Sequence, residues 1–306
     1  MTRTALFAAG DGDFAEYEAP LHAAFARAGL DVAVVTEAAP DTVDYIIYAP
    51  ANPLQDFTPF TRCRAVLSLW AGVERIVGNP TLTQPLARMV DPSLTQGMVE
   101  YVTGHVLRYH LGLDRPATAW DPVVPPLAQD RRVGFLGLGE LGRACAQALA
   151  GLGFQVAGWS RSARDVAGIA YHHGAEGLRD VLRSSDILVT LLPDTPATAN
   201  ILNADTLAQL PRGARIVNPG RGTLIEDAAL LAALDSGQIA AATLDVFRTE
   251  PLPADHPYWV HPRVTVTPHI AAATRPDTAS EVIAQNIARV EAGLPLLHEV
   301  SRGAGY

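Results

Sequence analysis

Apolar residues in this chain fall into two kinds of pattern that alternate. Short unbroken runs, "TALFAA" (4–9), "DVAVVT" (31–36) and "DYIIYA" (44–49), have the length and continuity of strands buried on both faces. "RAVLSLWAG" (64–72) reads as strand then turn, and "ARMVD" (87–91) as one more short strand. Between the first two runs, "FAEYEAPLHAAFARAG" (14–29) carries helical spacing and ends in Gly29, a C-terminal cap signal. Strands alternating with helices predict a parallel sheet covered on both sides. A longer helical pattern follows over 94–111, then the Pro-rich, aperiodic "DRPATAWDPVVPPLAQD" (114–130), a loop or arm. A second alternating series then opens. Its strands are expected at 132–137, 154–160, 186–192, 214–218, 241–246 and 264–267, with helices near 140–152, 176–183, 203–209, 226–237 and 278–292. That order is that of a doubly wound nucleotide-binding domain, and its last helix can return the chain to the first domain.

The 306 residues suffice for two domains of about 150 each. With 48% apolar and 18% charged residues, the composition is globular rather than disordered. A formal charge of -9 argues against nucleic acid or an anionic membrane as a partner, since both demand basic surface. Cys63 and Cys145 cannot build a disulfide framework or a zinc site, and they fit a reducing cytoplasm. Both are read as packing residues. The N-terminal apolar run is too short for a signal peptide or a membrane span. No metal site is expected: His172 and His173 read as loop, and His105 and His110 lie five apart, off a common helix face.

Chemistry enters at "VGFLGLGELG", where Gly137, Gly139 and Gly142 follow a predicted strand and open a predicted helix. In that context the first glycine permits a tight turn and the second lets backbone approach a pyrophosphate. The third lets helix pack on strand, and the N–H groups at the helix start face the phosphates. The next strand ends in "GWSRSARD" (158–165). An NAD-binding fold usually places an acid there, for the ribose hydroxyls. Ser160, Arg161 and Ser162 instead suit a 2′-phosphate, which hydroxyls and a guanidinium can hold and a carboxylate would repel. The expected cofactor is therefore NADP(H).

Three later stretches each place a reactive side chain just past a predicted parallel strand, where open α/β sheets build their sites. "ARIVNPGRGTLIED" (214–227) presents Arg221, "AATLDVFRTEPLP" (241–253) presents Asp245 and Glu250, and "VTVTPHIAAAT" (264–274) presents His269. Arginine, carboxylate and histidine together suit reduction of a 2-oxo acid. The substrate's charge needs a guanidinium, and its carbonyl oxygen needs a proton as hydride arrives. A histidine partnered by a carboxylate can give that proton near neutral pH.

At this point the sequence resembles the D-2-hydroxyacid dehydrogenases, through "LLPDTPAT", "VNPGRG", "LDVFRTEPLP" and "TPHIAA", and outward to "SLWAGVERI", "MVDPSLTQGMVEYVTGHVLRYH" and "RGAGY". "GWSRS" with "AATRPDTA" is similar to the glyoxylate/hydroxypyruvate reductase branch. The resemblance implies an α/β fold of two doubly wound domains. A Rossmann NADP-binding domain (97–292), with a dimerisation arm near 97–130, would be inserted in a flavodoxin-like substrate domain (1–96 and 293–306). It implies Arg221 as substrate anchor and carbonyl polariser, His269 as general acid/base and Glu250 as its partner. Asp245 would hold the nicotinamide carboxamide. Glu140, Leu141, Trp159, Leu192, Pro193, Thr198, Pro219, Gly220 and Ala271 would complete the cofactor contacts. Trp70, Ala71 and Gly72 would meet the substrate carboxylate, and Arg275 is either a second cation for it or an ion-pair residue. Pro219 departs from the small aliphatic residue of many relatives and removes one backbone donor. The implied protein is a cytoplasmic homodimer reducing glyoxylate or hydroxypyruvate. The alternatives are a dinucleotide-sensing corepressor, which the presence of Arg221, Glu250 and His269 disfavours, and a dehydrogenase for a larger 2-hydroxy acid. Formate dehydrogenase chemistry would need an amide where Glu250 stands.

Overall fold

The computed structural model describes residues 2–10, 12–115, 120, 122–161 and 168–303. The chain folds as two compact units, Met1–Leu94 with Ala273–Tyr306, and Thr95–Ala272.

In the first unit, β1 (Arg3–Ala8), β2 (Val32–Val35), β3 (Tyr45–Tyr48), β4 (Ala65–Ser68) and β5 (Leu86–Ala87) form one parallel sheet in the order β2-β1-β3-β4-β5. Every residue of β3 and β4 is buried, which is why these strands read as unbroken apolar runs. The helix α1 (Asp13–Arg27) buries Tyr17, Leu21, Ala24 and Phe25, one stripe at helical spacing. Gly29, at φ +66°, ends it in the left-handed conformation that glycine adopts without strain. After β5 the long helix α2 (Pro92–His110) leads into the second unit.

The second unit winds through β6 (Arg132–Leu136), α3 (Glu140–Gly151), β7 (Gln155–Ser160), β8 (Ala170–His173), α4 (Gly174–Ser184), β9 (Ile187–Thr190), α5 (Ala204–Leu207), β10 (Ala214–Asn218), α6 (Asp227–Asp235), β11 (Ile239–Leu244) and β12 (Val264–Val266). Its sheet is parallel throughout, in the order β12-β11-β10-β9-β6-β7-β8. Winding reverses between β6 and β9, so their carboxyl ends frame the crevice where doubly wound sheets take ligands. His172 and His173, expected in a loop, instead lie on β8, paired with Trp159 and Ser160. β8 is a short edge strand of sequence AYHH, with none of the apolar signal that marks the inner strands.

The last helix, α7 (Pro276–Glu291), corrects the expected boundaries of 96/97 and 292/293. The units part instead at 94/95 and 272/273. α7 belongs to the first unit because Ala279, Val282, Ile283 and Ile287 share a core with Leu21, Ala24 and Phe25 of α1 and with β1, β3 and β4. An amphipathic stripe shows which face is buried but not which core receives it.

Glu291, at the end of α7, accepts hydrogen bonds from Arg3 at 2.8 Å, from Tyr45 and from Arg64. Burial alone would raise its pKa; these donors outweigh it and hold the carboxyl at about 2. A folded-state pKa below the unfolded one adds stability above the unfolded value, about 4.3, and loses it as pH falls toward 2. Glu291→Gln should therefore unfold a few degrees below wild type at pH 7, at about 2–4 °C per kcal/mol for domains of this size. The gap should close between pH 5 and pH 2, on a scale set by these two pKa values. Melting curves that stay parallel across that range would contradict this.

Candidate active site

The glycine turn is built by close approach. Gly137 leaves β6 at φ +104°, and its N–H donates to Trp159 O at 2.8 Å. A Cβ on Gly137 would stand 2.5 Å from Leu191 O, and one on Gly142 2.0 Å from Gly137 O. Gly139 has open space around its Cβ position and heads α3, where no side chain caps the helix. Room at Gly139 and the N–H donors of an uncapped first turn are what a pyrophosphate requires. The residues present therefore fit the dinucleotide that the turn implies. Glu140 pairs with Arg143 one turn along at 2.9 Å, and Leu141 packs partly buried against the core of the unit.

At the end of β7, Trp159 donates its indole N–H to Gly174 O at 2.8 Å. Ser160 Oγ lies 2.6 Å from the Tyr171 hydroxyl on β8, and Arg161 is exposed beside it. Ser162 lies outside the described residues. Tyr171 escaped the sequence reading because its strand did. Across the crevice, beyond β9, Leu192 is buried. The Thr198 hydroxyl donates to Pro193 O at 2.6 Å and accepts from Thr195 N–H at 2.9 Å, so it holds the 193–198 turn together.

The turn after β10 is organised by Asn218, which sequence reasoning missed although an Asn before Pro-Gly is a turn signal. Its amide is buried, accepting from the Thr190 hydroxyl at 2.7 Å and Gly220 N–H at 3.1 Å and donating to Arg221 O at 3.0 Å. Arg221, partly buried, donates from Nη1 to Gly220 O at 2.7 Å. Pro219 starts the turn without needing an N–H, since Asn218 takes its backbone contact from Gly220. Gly222 can only be glycine: a Cβ there would lie 2.0 Å from the carbonyl carbon of Phe247. The turn bearing Arg221 thus abuts the backbone of the loop after β11.

That loop carries Glu250. Its Oε1 accepts from Phe247 N–H at 2.9 Å, and its Oε2 lies 2.8 Å from His269 Nδ1. The expected pair is formed. With Nδ1 engaged by the carboxylate, Nε2 is the ring nitrogen left for a substrate. His269 sits at φ +54°, in the left-handed region, and its side chain is 55% exposed. Asp245 explains the loop's shape. It is buried, and its carboxylate accepts from the Thr267 hydroxyl at 2.6 Å, Ile270 N–H at 2.9 Å and Ala271 N–H at 3.0 Å. Its backbone carbonyl also takes His269 N–H at 2.8 Å. Three of these four donors sit in successive residues, so Asp245 pins the segment that presents the imidazole. Ala271, expected at the cofactor, is 5% exposed and packs into the core of the unit.

The remaining expected residues lie in the first unit. Trp70 is 38% exposed, under the Arg75 guanidinium at 5.9 Å, and its N–H donates to Ser68 Oγ at 3.1 Å. Ala71 and Gly72 follow it, partly buried. Arg275 is exposed and precedes α7 as its N-cap residue. Among the described residues, no group of three His, Cys, Asp or Glu side chains is placed to hold a metal, and no helix is long and apolar enough to cross a membrane.

The chain is similar to known proteins over most of its length. The sequence model of the "D-isomer specific 2-hydroxyacid dehydrogenase, NAD binding domain" matches residues 115–271. A glyoxylate/hydroxypyruvate reductase A of Serratia proteamaculans is 43% identical over 244 residues, covering 76% of this chain and 78% of the relative. Among solved structures, a D-isomer specific 2-hydroxyacid dehydrogenase of Xanthobacter autotrophicus, in complex with NADPH and MES, superposes with a TM-score of 0.93. It is 39% identical and is covered, like this chain, over 100% of its length. The NADPH-dependent glyoxylate/hydroxypyruvate reductase of Sinorhizobium meliloti, in complex with NADP and sulfate, gives 0.82 at 34% identity, again with 100% of both chains covered. A glycine turn at the switch point, a histidine–glutamate pair and an arginine turn braced against it, in a chain this similar over most of its length, place it in the D-isomer specific 2-hydroxyacid dehydrogenase family.

Proposed function

We propose that this protein is an NADP(H)-dependent reductase of small 2-oxo acids, converting glyoxylate to glycolate and hydroxypyruvate to glycerate. The observation that carries the chemistry is the 2.8 Å contact between His269 Nδ1 and Glu250 Oε2. It supports a ring held with Nε2 toward the substrate's carbonyl oxygen as proton donor. Arg221 holds the substrate carboxylate and polarises the carbonyl that becomes the alcohol. Bound NADPH supplies the hydride. Glu250, on the Nδ1 side, orients the ring before and after the proton leaves. In the first unit, Trp70, Ala71, Gly72 and Arg275 are proposed to meet the substrate. Initial rates with a panel of 2-oxo acids, each with NADPH and NADH, test the assignment. A preference for a long-chain 2-oxo acid over glyoxylate and hydroxypyruvate would replace the substrate while keeping the reaction.

The cofactor preference rests on Ser160, Arg161 and Ser162, in line with the NADPH and NADP named for the Xanthobacter and Sinorhizobium structures. A charged hydrogen bond is worth about 1.5–3 kcal/mol. Arg161→Ala should then weaken NADPH binding at least about tenfold while barely changing NADH. Ser160→Asp should go further, repelling the phosphate and accepting from the free ribose hydroxyls of NADH. Dissociation constants for both cofactors check this, and equal losses for the two would contradict it.

A homodimer in the cytoplasm is the accompanying proposal. Trp120 is 98% exposed, and Val123, Val124 and Leu127 are exposed near it on the Pro-rich arm. Such a row of apolar side chains supports cover by a second copy of the chain. Cys63 and Cys145 are both unpaired thiols, consistent with a reducing compartment.

A further inference from the structure

Arg248 stands two residues before Glu250, in a loop whose conformation decides whether the carboxylate meets His269. Nothing in its sequence setting marks it: it is one polar residue in "DVFRTEP". Its guanidinium nevertheless has an uncommon set of partners. Nη2 donates to Ile225 O, to Asn200 Oδ1 and, at 3.3 Å, to Thr223 O. Nε lies 3.7 Å from Asp227 Oδ2, whose other oxygen accepts from the buried Tyr258 hydroxyl at 3.0 Å. One side chain thus joins three segments. These are the loop after β9, the turn after β10 that follows Arg221 and Gly222, and the first residue of α6.

Those partners are themselves fixed. Asn200 N–H donates to Thr223 O at 2.9 Å, and Glu226 N–H to Leu202 O at 2.9 Å, so the loop after β9 is zipped to the segment after Arg221. Ile225 and Leu224 are core residues. Arg248 therefore grips rigid backbone. On its other side, the preceding residue, Phe247, gives its N–H to Glu250 Oε1. Phe247 also lies against Gly222. Movement of Arg248 would be felt at once by the N–H that orients Glu250.

We propose that Arg248 is a positioning residue for the reaction: it locks the loop after β11 to the turn bearing Arg221, so that Glu250 is held against His269. It touches neither substrate nor cofactor in this role and acts through Glu250. The proposal rests on the reading of His269 and Glu250 given above.

The test is a double-mutant cycle on the full-length protein with glyoxylate and NADPH. Arg248→Ala should lower kcat about ten- to a hundredfold, the scale of a catalytic group displaced by about 1 Å. NADPH affinity, read by fluorescence titration without substrate, should stay unchanged. Arg248→Lys keeps the charge but has no second nitrogen to face Asp227 while the first meets the backbone acceptors, and no plane to fix their directions, so it should recover only part of the loss. In a Glu250→Gln background, Arg248→Ala should cost less than about twofold more, because the residue it serves is already disabled. A full additional loss in that background would overturn the proposal, as would an unchanged kcat in Arg248→Ala. A fall in NADPH affinity parallel to kcat would assign Arg248 to general folding instead, and so overturn it too. If Glu250→Gln alone retained wild-type kcat, the histidine–glutamate reading would fail first, and this proposal with it.

Discussion

His269→Gln should lower kcat for glyoxylate reduction by about 10²–10⁴-fold, the usual contribution of general acid–base catalysis. The amide can still reach Glu250 but carries no proton to release from the position of Nε2. NADPH affinity should persist, because the glycine turn and the end of β7 are untouched. One complication is local: His269 holds φ +54°, where most side chains are strained. Asn tolerates that region better than Gln, so His269→Asn serves as the companion variant. If strain alone caused the loss, Asn would recover much of the activity. If the missing proton donor causes it, both variants should be equally poor. A folded Gln variant with near-wild-type kcat would remove His269 from the mechanism.

The strongest sequence signals were those in which local chemistry and topology coincide. Gly137 and Gly142 are glycine because a Cβ would strike a backbone oxygen, and such a constraint leaves a visible spacing. His269, Glu250 and Arg221 each follow a strand end, and the order of strands alone brought them to one edge of a parallel sheet. Residue type and position point to a histidine with a carboxylate partner but leave Asp245 and Glu250 both open; the resemblance implies Glu250, which lies 2.8 Å from His269.

What stayed hidden depends on partners distant in sequence. The sequence places Asp245 after a strand but does not show the contacts of its buried carboxylate, which accepts from Thr267, Ile270 and Ala271. An aspartate after a strand looks the same in sequence whether it points at a ligand or at its own neighbouring loop. α7 showed its apolar stripe plainly, but only the fold tells that α1 receives it. β8 was missed because an edge strand needs little hydrophobicity, and Tyr171 beside Ser160 was lost with it. Arg248 is the extreme case: its acceptors at 200, 223 and 225 are mostly backbone, which has no sequence signature at all.

Arg221→Lys should be nearly as damaging as loss of the histidine, although it conserves charge. The guanidinium is held by its own turn: Nη1 donates to Gly220 O at 2.7 Å, and Asn218 anchors the carbonyl of Arg221 itself at 3.0 Å. That fixes the plane of the head, so its other N–H groups can meet a carboxylate and a carbonyl oxygen in set directions. An ammonium is a point charge on a flexible stem, with a different reach and no plane. It would still attract a 2-oxo acid, but it would not aim a donor at the carbonyl oxygen as negative charge develops there. Removing one such donor typically costs about 10²–10³-fold in kcat. The Lys variant should therefore lose about that factor in kcat and also show a raised KM for glyoxylate. NADPH affinity should remain at the wild-type value. The pattern across kinetic constants matters more than its size. A rise in KM at constant kcat would mean that Arg221 only captures the substrate, equally in ground and transition states. A joint fall in kcat and kcat/KM would mean that it stabilises the developing alkoxide. Wild-type behaviour on glyoxylate in the Lys variant would show that the substrate anchor lies elsewhere.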